Sequence, residues 1–236
     1  MKRAGLQPWF TYHPDCEHMQ LTHPLFVDDV LIFCKAHPPT LQIIMRALNE
    51  FHTCVGLQSN QSKTQIVFGG CNTHLQQQYL QITGFQEGGL PLKYLGIPIT
   101  TSRLSKLECR ILLDKIMGKL KIWSTKSISF TGRAQLLNSI IFDMYNYWAT
   151  IFILPQDVID NINQMCRNYL CGGTPDSKRI PFISWNTTCL PRKHGGFGLK
   201  NLVAWNKTCI AKLVWVVAAK KDILWVKWVH EIPQKC

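Results

Sequence analysis

The feature that most restricts the fold is a change of hydrophobic period near residue 100. Before it, apolar residues come in short runs closed by turn formers. Residues 21 to 34 give two such runs around Asp28 and Asp29, the pattern of a hairpin with carboxylates at its tip. Pro38-Pro39-Thr40 then opens a helix in which Leu41, Ile44, Met45, Leu48, Phe51 and Val55 recur at three and four residues until Gly56 ends it. Gln65-Ile66-Val67-Phe68 reads as a strand, and Tyr94-Leu95 with Ile97-Pro98-Ile99 around Gly96 as a second hairpin. After Thr100 the spacing turns helical. Leu104, Leu107 and Ile111 form one row and Leu112, Ile116 and Leu120 another, so the first helix is expected to be gripped on two sides, with Arg103, Lys106 and Arg110 as a basic row of its own. Ser129 or Thr131 caps a second helix bearing Leu136, Leu137, Ile140, Ile141, Met144 and Trp148. Val158, Ile159, Ile162, Met165 and Tyr169 mark a third, and residues 204 to 219 a last. The expected class is α+β: a short N-terminal segment over 1–20, a hairpin, helix, strand and second hairpin over 21–100, and a mainly helical region over 101–236.

Charge follows the same break. The chain of 236 residues is long enough to bury a core and carries a net +12. Residues 1 to 92 net −1, residues 93 to 133 net +7, residues 134 to 166 net −3 and residues 167 to 227 net +9. A near-neutral front followed by two basic stretches suggests a site on the first portion and a polyanion-gripping surface on the second. The ten cysteines are scattered singly, which favours a reduced intracellular protein, nuclear or cytoplasmic, over a disulfide scaffold. The basic start is followed by Gly5, Gln7 and Pro8 rather than an apolar core, so no secretory leader and no membrane partner are expected.

Asp28 and Asp29 are the candidate metal ligands. Hard divalent cations take one or two carboxylates and fill their other positions with water and phosphate. Adjacent strand residues point to opposite faces, so both acids serve one site only if the turn twists between them. Leu25-Phe26-Val27 and Val30-Leu31-Ile32-Phe33 are dense enough to predict burial on both sides, and a buried acidic pair needs a cation. Cys166, Cys171, Cys189 and His194 make a poor zinc pattern, because their gaps do not match two-residue knuckles, and no zinc is expected. Trp148 and Trp215 lie on apolar helical rows and are assigned to the interior, whereas Trp123, beside Lys121 and Lys126, is a candidate to meet a nucleic-acid strand.

Several strings resemble one family. Phe26-Val27-Asp28-Asp29 looks like the Tyr/Phe-Ala-Asp-Asp box of reverse transcriptases, Asn60-Gln-Ser-Lys63-Thr is similar to the lysine-bearing box after it, and Leu90-Pro-Leu-Lys-Tyr-Leu-Gly-Ile-Pro-Ile99 to the primer-grip box. Trp123-Ser-Thr-Lys-Ser-Ile-Ser-Phe-Thr-Gly-Arg133, Tyr147-Trp148 with Phe152-Ile-Leu-Pro155, and Leu190-Pro-Arg-Lys-His-Gly-Gly-Phe-Gly-Leu199 resemble the plant LINE-type, non-LTR retrotransposon enzymes. The resemblance runs from about Trp9 to Trp228. It implies part of a right-hand polymerase palm followed by a thumb and connecting region.

The activity implied is RNA-directed DNA synthesis by two-metal phosphoryl transfer, with Mg²⁺ or Mn²⁺ as cofactor and an RNA template and DNA primer as partners. On the same resemblance Asp28 and Asp29 ligate metal, Lys63 neutralises or protonates pyrophosphate, and Lys93, Tyr94 and Gly96 hold the primer end. The basic residues Arg103, Lys106, Arg110, Lys119, Lys121, Lys126 and Arg133, with Trp123, are the expected nucleic-acid contacts. The family also needs an aspartate on an earlier palm strand. The lone acids before Asp28, Asp15 and Glu17, sit in a segment unlike that strand. The expectation is therefore a truncated element, inactive alone unless another chain supplies the missing polymerase portion. The alternatives are a non-catalytic RNA/DNA-binding module and a decayed relic without selected function.

Overall fold

A computed structural model describes residues 2–56, 60–177, 179 and 183–231. The chain divides into two compact units. One comprises residues up to Ile99 together with those from Lys220 onward, and the other is Thr100–Ala219. The C-terminal residues thus group with the first unit and not with the helices that precede them.

The first unit opens with a short helix α1 (Lys2–Gly5) and a 3-10 turn at Pro14–Cys16. Next come the hairpin strands β1 (Leu25–Phe26) and β2 (Asp29–Val30) and the long helix α2 (Pro38–Val55). Pro sits in the first turn of α2, where its missing N–H costs nothing. Gly56 ends the helix at φ 72°, returning its N–H to the His52 carbonyl. Strand β3 (Gln65–Val67) leads to α3 (Thr73–Thr83) and then β4 (Gln86–Gly88), which pairs with β3 in parallel. Strands β5 (Leu92–Tyr94) and β6 (Ile97–Ile99) close an antiparallel hairpin through Leu95 and Gly96, both at positive φ.

The three strand pairs are separate two-stranded sheets. The core of this unit is small: Ala4, Phe10, Ile43 and Ile44, with Tyr12, Ile32, Cys34, Ala47 and Leu48 packed against it. Thr40, fully buried, ties the residues around Thr11 to the start of α2. Its hydroxyl accepts from the Thr11 N–H at 3.0 Å and shares a hydrogen bond of 2.7 Å with the Thr11 hydroxyl. The expected N-terminal segment therefore supplies core residues.

The second unit is a helical assembly. It holds α4 (Arg110–Ser124), α5 (Phe130–Leu136), a π-helical turn (Leu137–Ile141), α6 (Phe142–Ala149), α7 (Gln156–Gly172), the short α8 (Trp185–Thr188), a 3-10 turn (Arg192–His194) and α9 (Leu202–Ala218). A last helix, α10 (Leu224–Glu231), belongs to the first unit, where Trp228 donates its indole N–H to the Asp15 carbonyl at 2.9 Å.

Helix α7 is the centre of the second unit. Val158, Ile159, Ile162, Met165, Tyr169 and Leu170 are all buried, the five aliphatic side chains each worth about 1.5–3 kcal/mol of removal from water. Against them pack Leu112, Ile116 and Leu120 of α4, while Leu137 and Ile141 of the π-helical turn are buried too and Tyr145 and Trp148 are buried on α6, which packs on α4 and α9. One buried polar side chain closes the assembly. Asn206 of α9 accepts from the Leu154 N–H at 3.0 Å and donates to the carbonyls of Ala149 and Phe152 at 2.9 and 2.8 Å, satisfying the backbone of the α6–α7 connection.

Helix α4 begins later than its apolar spacing suggests. Ser105 and Glu108 bond reciprocally, the Ser105 N–H to the Glu108 carboxylate at 2.6 Å and the Glu108 N–H to the Ser105 hydroxyl at 3.3 Å. This box fixes a turn before Arg110, so Leu104, Leu107 and Ile111 do not form a second gripping row. Leu104 is buried, but Leu107 is 74% exposed.

Candidate acidic hairpin and nucleic-acid interface

The two aspartates stand where the apolar runs predicted a turn. Phe26 pairs with Asp29, leaving Val27 and Asp28 as the two loop residues. Val27 has φ 53°. Positive φ at the first of two loop residues is the backbone of a primed hairpin turn, which right-twisted strands require and glycine normally supplies. The turn thus sets Asp28 at the tip and Asp29 at the first position of β2. Because Asp28 is a loop residue, strand alternation does not separate the two carboxylates.

The expected burial is not found. Leu25, Phe26 and Val27 are 60%, 58% and 82% exposed, and both aspartates are on the surface. The physical reason is the size of the sheet: two strands of two residues cannot bury either face by themselves. Water can solvate the carboxylates, so burial does not oblige them to hold a cation. The donor set is suited to one hydrated Mg²⁺ held by one or two carboxylates. Among the described residues no group of three or more His, Cys, Asp or Glu could hold an ion, so the residues present do not fit a two-ion centre.

The remaining expected residues of the first unit lie on other loops. Lys63 is exposed in a turn before β3, in which Asn60 accepts from the N–H of Ser62 at 3.1 Å and from its hydroxyl at 2.6 Å, while the Lys63 N–H bonds the Asn60 carbonyl. Lys93 is exposed on β5 opposite Pro98, and Tyr94, half-buried, stands opposite Ile97 across the Leu95-Gly96 turn.

In the helical unit the expected contacts separate into free and engaged. Arg103 and Lys106 precede α4 and share no helical row with Arg110. Lys106 sits 3.8 Å from the Asp157 carboxylate. Arg110, Lys119, Lys121 and Lys126 are exposed.

Arg133 is committed elsewhere. Its guanidinium donates to the Tyr169 carbonyl at 3.1 Å, in the last turn of α7, and lies 6.0 Å from the Phe130 ring centre. That is a helix C-terminus satisfied by a cation, a structural duty. Trp123 is half-buried with its ring 6.2 Å from that of Tyr169, packing rather than presenting a free face.

Two further expectations on tryptophan divide. Trp148 is interior at 2% exposure, but Trp215 is 68% exposed, because α9 buries only Leu202 and Asn206. Three of the cysteines are held as protonated thiols. Burial pushes the thiols of Cys109 and Cys189 up to about 11 and that of Cys166 up to about 12.

The charge division survives in three dimensions. The helical unit holds sixteen Lys and Arg against six Asp and Glu, a net of +10, while the other unit holds ten against eight, +2. No helix of the described residues is long and apolar enough to cross a membrane.

No family model matches the chain. An Arabidopsis thaliana protein described as "Putative ribonuclease H protein" is 27% identical to it over 129 residues, which are 55% of this chain and 21% of that protein. The chain is thus similar to a segment spanning about a fifth of a longer plant protein.

Proposed function

We propose that this chain is the C-terminal palm portion and the helical thumb and connecting region of a reverse transcriptase of the plant LINE-type, non-LTR retrotransposon kind. The observation that carries the reading is the hairpin at Phe26-Val27-Asp28-Asp29. A β-branched residue is held at φ 53° in the turn that carries two consecutive, exposed aspartates, one in the loop and one at the first position of β2. Strain of this kind persists at functional turns. In this reading Asp28 and Asp29 ligate Mg²⁺, Lys63 meets the pyrophosphate, and Lys93, Tyr94 and Gly96 meet the primer end. The similarity to a segment of a protein described as "Putative ribonuclease H protein" is a further support for nucleic acid as the partner.

A second reading is favoured by the donor set and the charge. Two exposed carboxylates that join no group of three or more metal-binding side chains among the described residues, in a chain whose helical unit nets +10, suit a protein that grips an RNA–DNA duplex by its backbone and performs no chemistry alone. The test is primer extension on an RNA template with Mg²⁺, run beside heteroduplex binding, for the chain and for a form carrying Asp28→Ala and Asp29→Ala. Extension that disappears in the substituted form supports a competent polymerase. Background extension in both, with duplex binding intact and falling steeply with salt, supports the binding module. Absence of both overturns the nucleic-acid reading.

A further inference from the structure

We infer that the exposed face of α9 around Trp215 is a stacking platform for single-stranded nucleic acid; the inference rests on the nucleic-acid reading above and names a site within it. Every other described tryptophan of the helical unit is held by its neighbours. Trp148 is buried, Trp123 packs on Tyr169, and Trp185 and Trp205 donate to the side-chain oxygens of Asn163 and Asn146 at 3.0 and 2.7 Å. Trp215 alone among them turns its ring to water, at 68% exposure, with Val214 beside it at 63%.

The charges on its own helix are of one sign. Helix α9 carries Lys207 and Lys212, both exposed, and no acid at all. Residues three, four and eight apart share a helical face. Lys212 therefore lies one turn before Trp215, about 4.5 Å along the axis, and Lys207 lies two turns before it, about 12 Å along the axis. Ala211 and Thr208, also exposed, occupy the helix surface between the lysines and the ring. The two lysines are five positions apart, about 140° around the helix, so they flank the Trp215 face at its two edges, on a unit of net +10.

A polyanion with flat groups of its own is the matching ligand. Phosphates would follow the lysines while a base lies on the indole, and base–aromatic stacking tolerates any sequence. A duplex keeps its bases stacked inside and offers the ring nothing to cover. The predicted ligand is therefore a single strand, such as displaced DNA or unpaired template, and not the heteroduplex.

The test uses the whole chain and two labelled probes, oligo(dT) and an RNA–DNA duplex of equal length, with circular dichroism as a check on folding. Trp215→Ala is expected to weaken oligo(dT) binding by roughly 5- to 150-fold, the range typical of removing one stack, and to leave duplex binding unchanged. Trp215→Phe, which keeps a ring, is expected to retain most of the affinity. Neutralising Lys207 and Lys212 together is expected to reduce the salt slope for the single strand by about 1.4. Unchanged oligo(dT) binding in Trp215→Ala, or an equal weakening on both probes, overturns the platform while leaving the duplex reading standing. No binding of either probe by the unsubstituted chain overturns that reading, and the platform with it. Self-association of the chain that disappears in Trp215→Ala, with oligonucleotide affinity unaltered, assigns the face to a second copy and overturns the proposal.

Discussion

Val27 is the residue at which the backbone departs furthest from what its side chain prefers. A β-branched residue at φ 53° costs about 1–2 kcal/mol relative to an ordinary backbone region, and at 82% exposure the side chain recovers almost nothing by packing. Val27→Gly is therefore expected to raise stability by about 1 kcal/mol after glycine's own entropic cost, read as a higher urea midpoint at unchanged m-value. If the turn serves a metal site, the same change loosens it and should weaken Mg²⁺-dependent behaviour while stabilising the fold. The position of the turn was legible, since two aspartates between apolar runs read as a loop. Its backbone sign was not, because valine gives no warning of positive φ. Trp215 and Asn206 show the same limit from opposite sides. A tryptophan among valines and alanines reads as core, and an asparagine between a tryptophan and a lysine reads as surface. Yet the structure exposes the first and buries the second at 4%, bonded to three backbone groups.

Among the elements, the beginning of α4 is the clearest case of a local bond overruling a pattern. Apolar spacing alone starts a helix near Leu104; the Ser105–Glu108 box places a turn first and delays it to Arg110. Hydrogen bonds from Ser105, first from its backbone N–H, hold the Glu108 carboxyl below its usual pKa. A group whose folded pKa is depressed contributes stability above its unfolded value and loses it as pH falls through the folded one. Acidification through the carboxylate range is therefore expected to loosen residues 105 to 110 before the buried middle of α4. The readout is faster amide exchange at those positions, and Glu108→Gln should show that loosening already at neutral pH. Helix α3 is hidden in the sequence for a simpler reason. Its glutamine-rich surface leaves few apolar residues to reveal a period, and its Asn72 cap, accepting from the Leu75 N–H at 2.8 Å, is a single residue in a polar stretch. Strand β4 is hidden with it, since the parallel partner of β3 lies beyond that helix.

At the level of the whole chain, the organising fact is the uneven division of charge, +10 on the helical unit against +2 on the other. Duplex binding by the full chain should weaken steeply between low and physiological salt. Replacing Lys115, Lys119 and Lys121 on the exposed side of α4 by alanine should lower the slope of log affinity against log salt by about 0.9 for each phosphate that is no longer neutralised. A slope unchanged by all three would remove α4 from the interface. The charge division could be read by counting along the sequence. What could not be read was burial of the hairpin, because apolar residues go inside only where something covers them, and two two-residue strands cannot cover themselves.

The return of the C-terminal segment to the first unit, with Val226 at 1% exposure and Trp228 bonded to Asp15, makes the helical unit an insert held by both its ends. A bead threaded on a closed loop cannot be freed by cutting the string once. A protease nick near residue 100 should leave both pieces migrating together under native conditions, and only a second cut near residue 220 should release the insert.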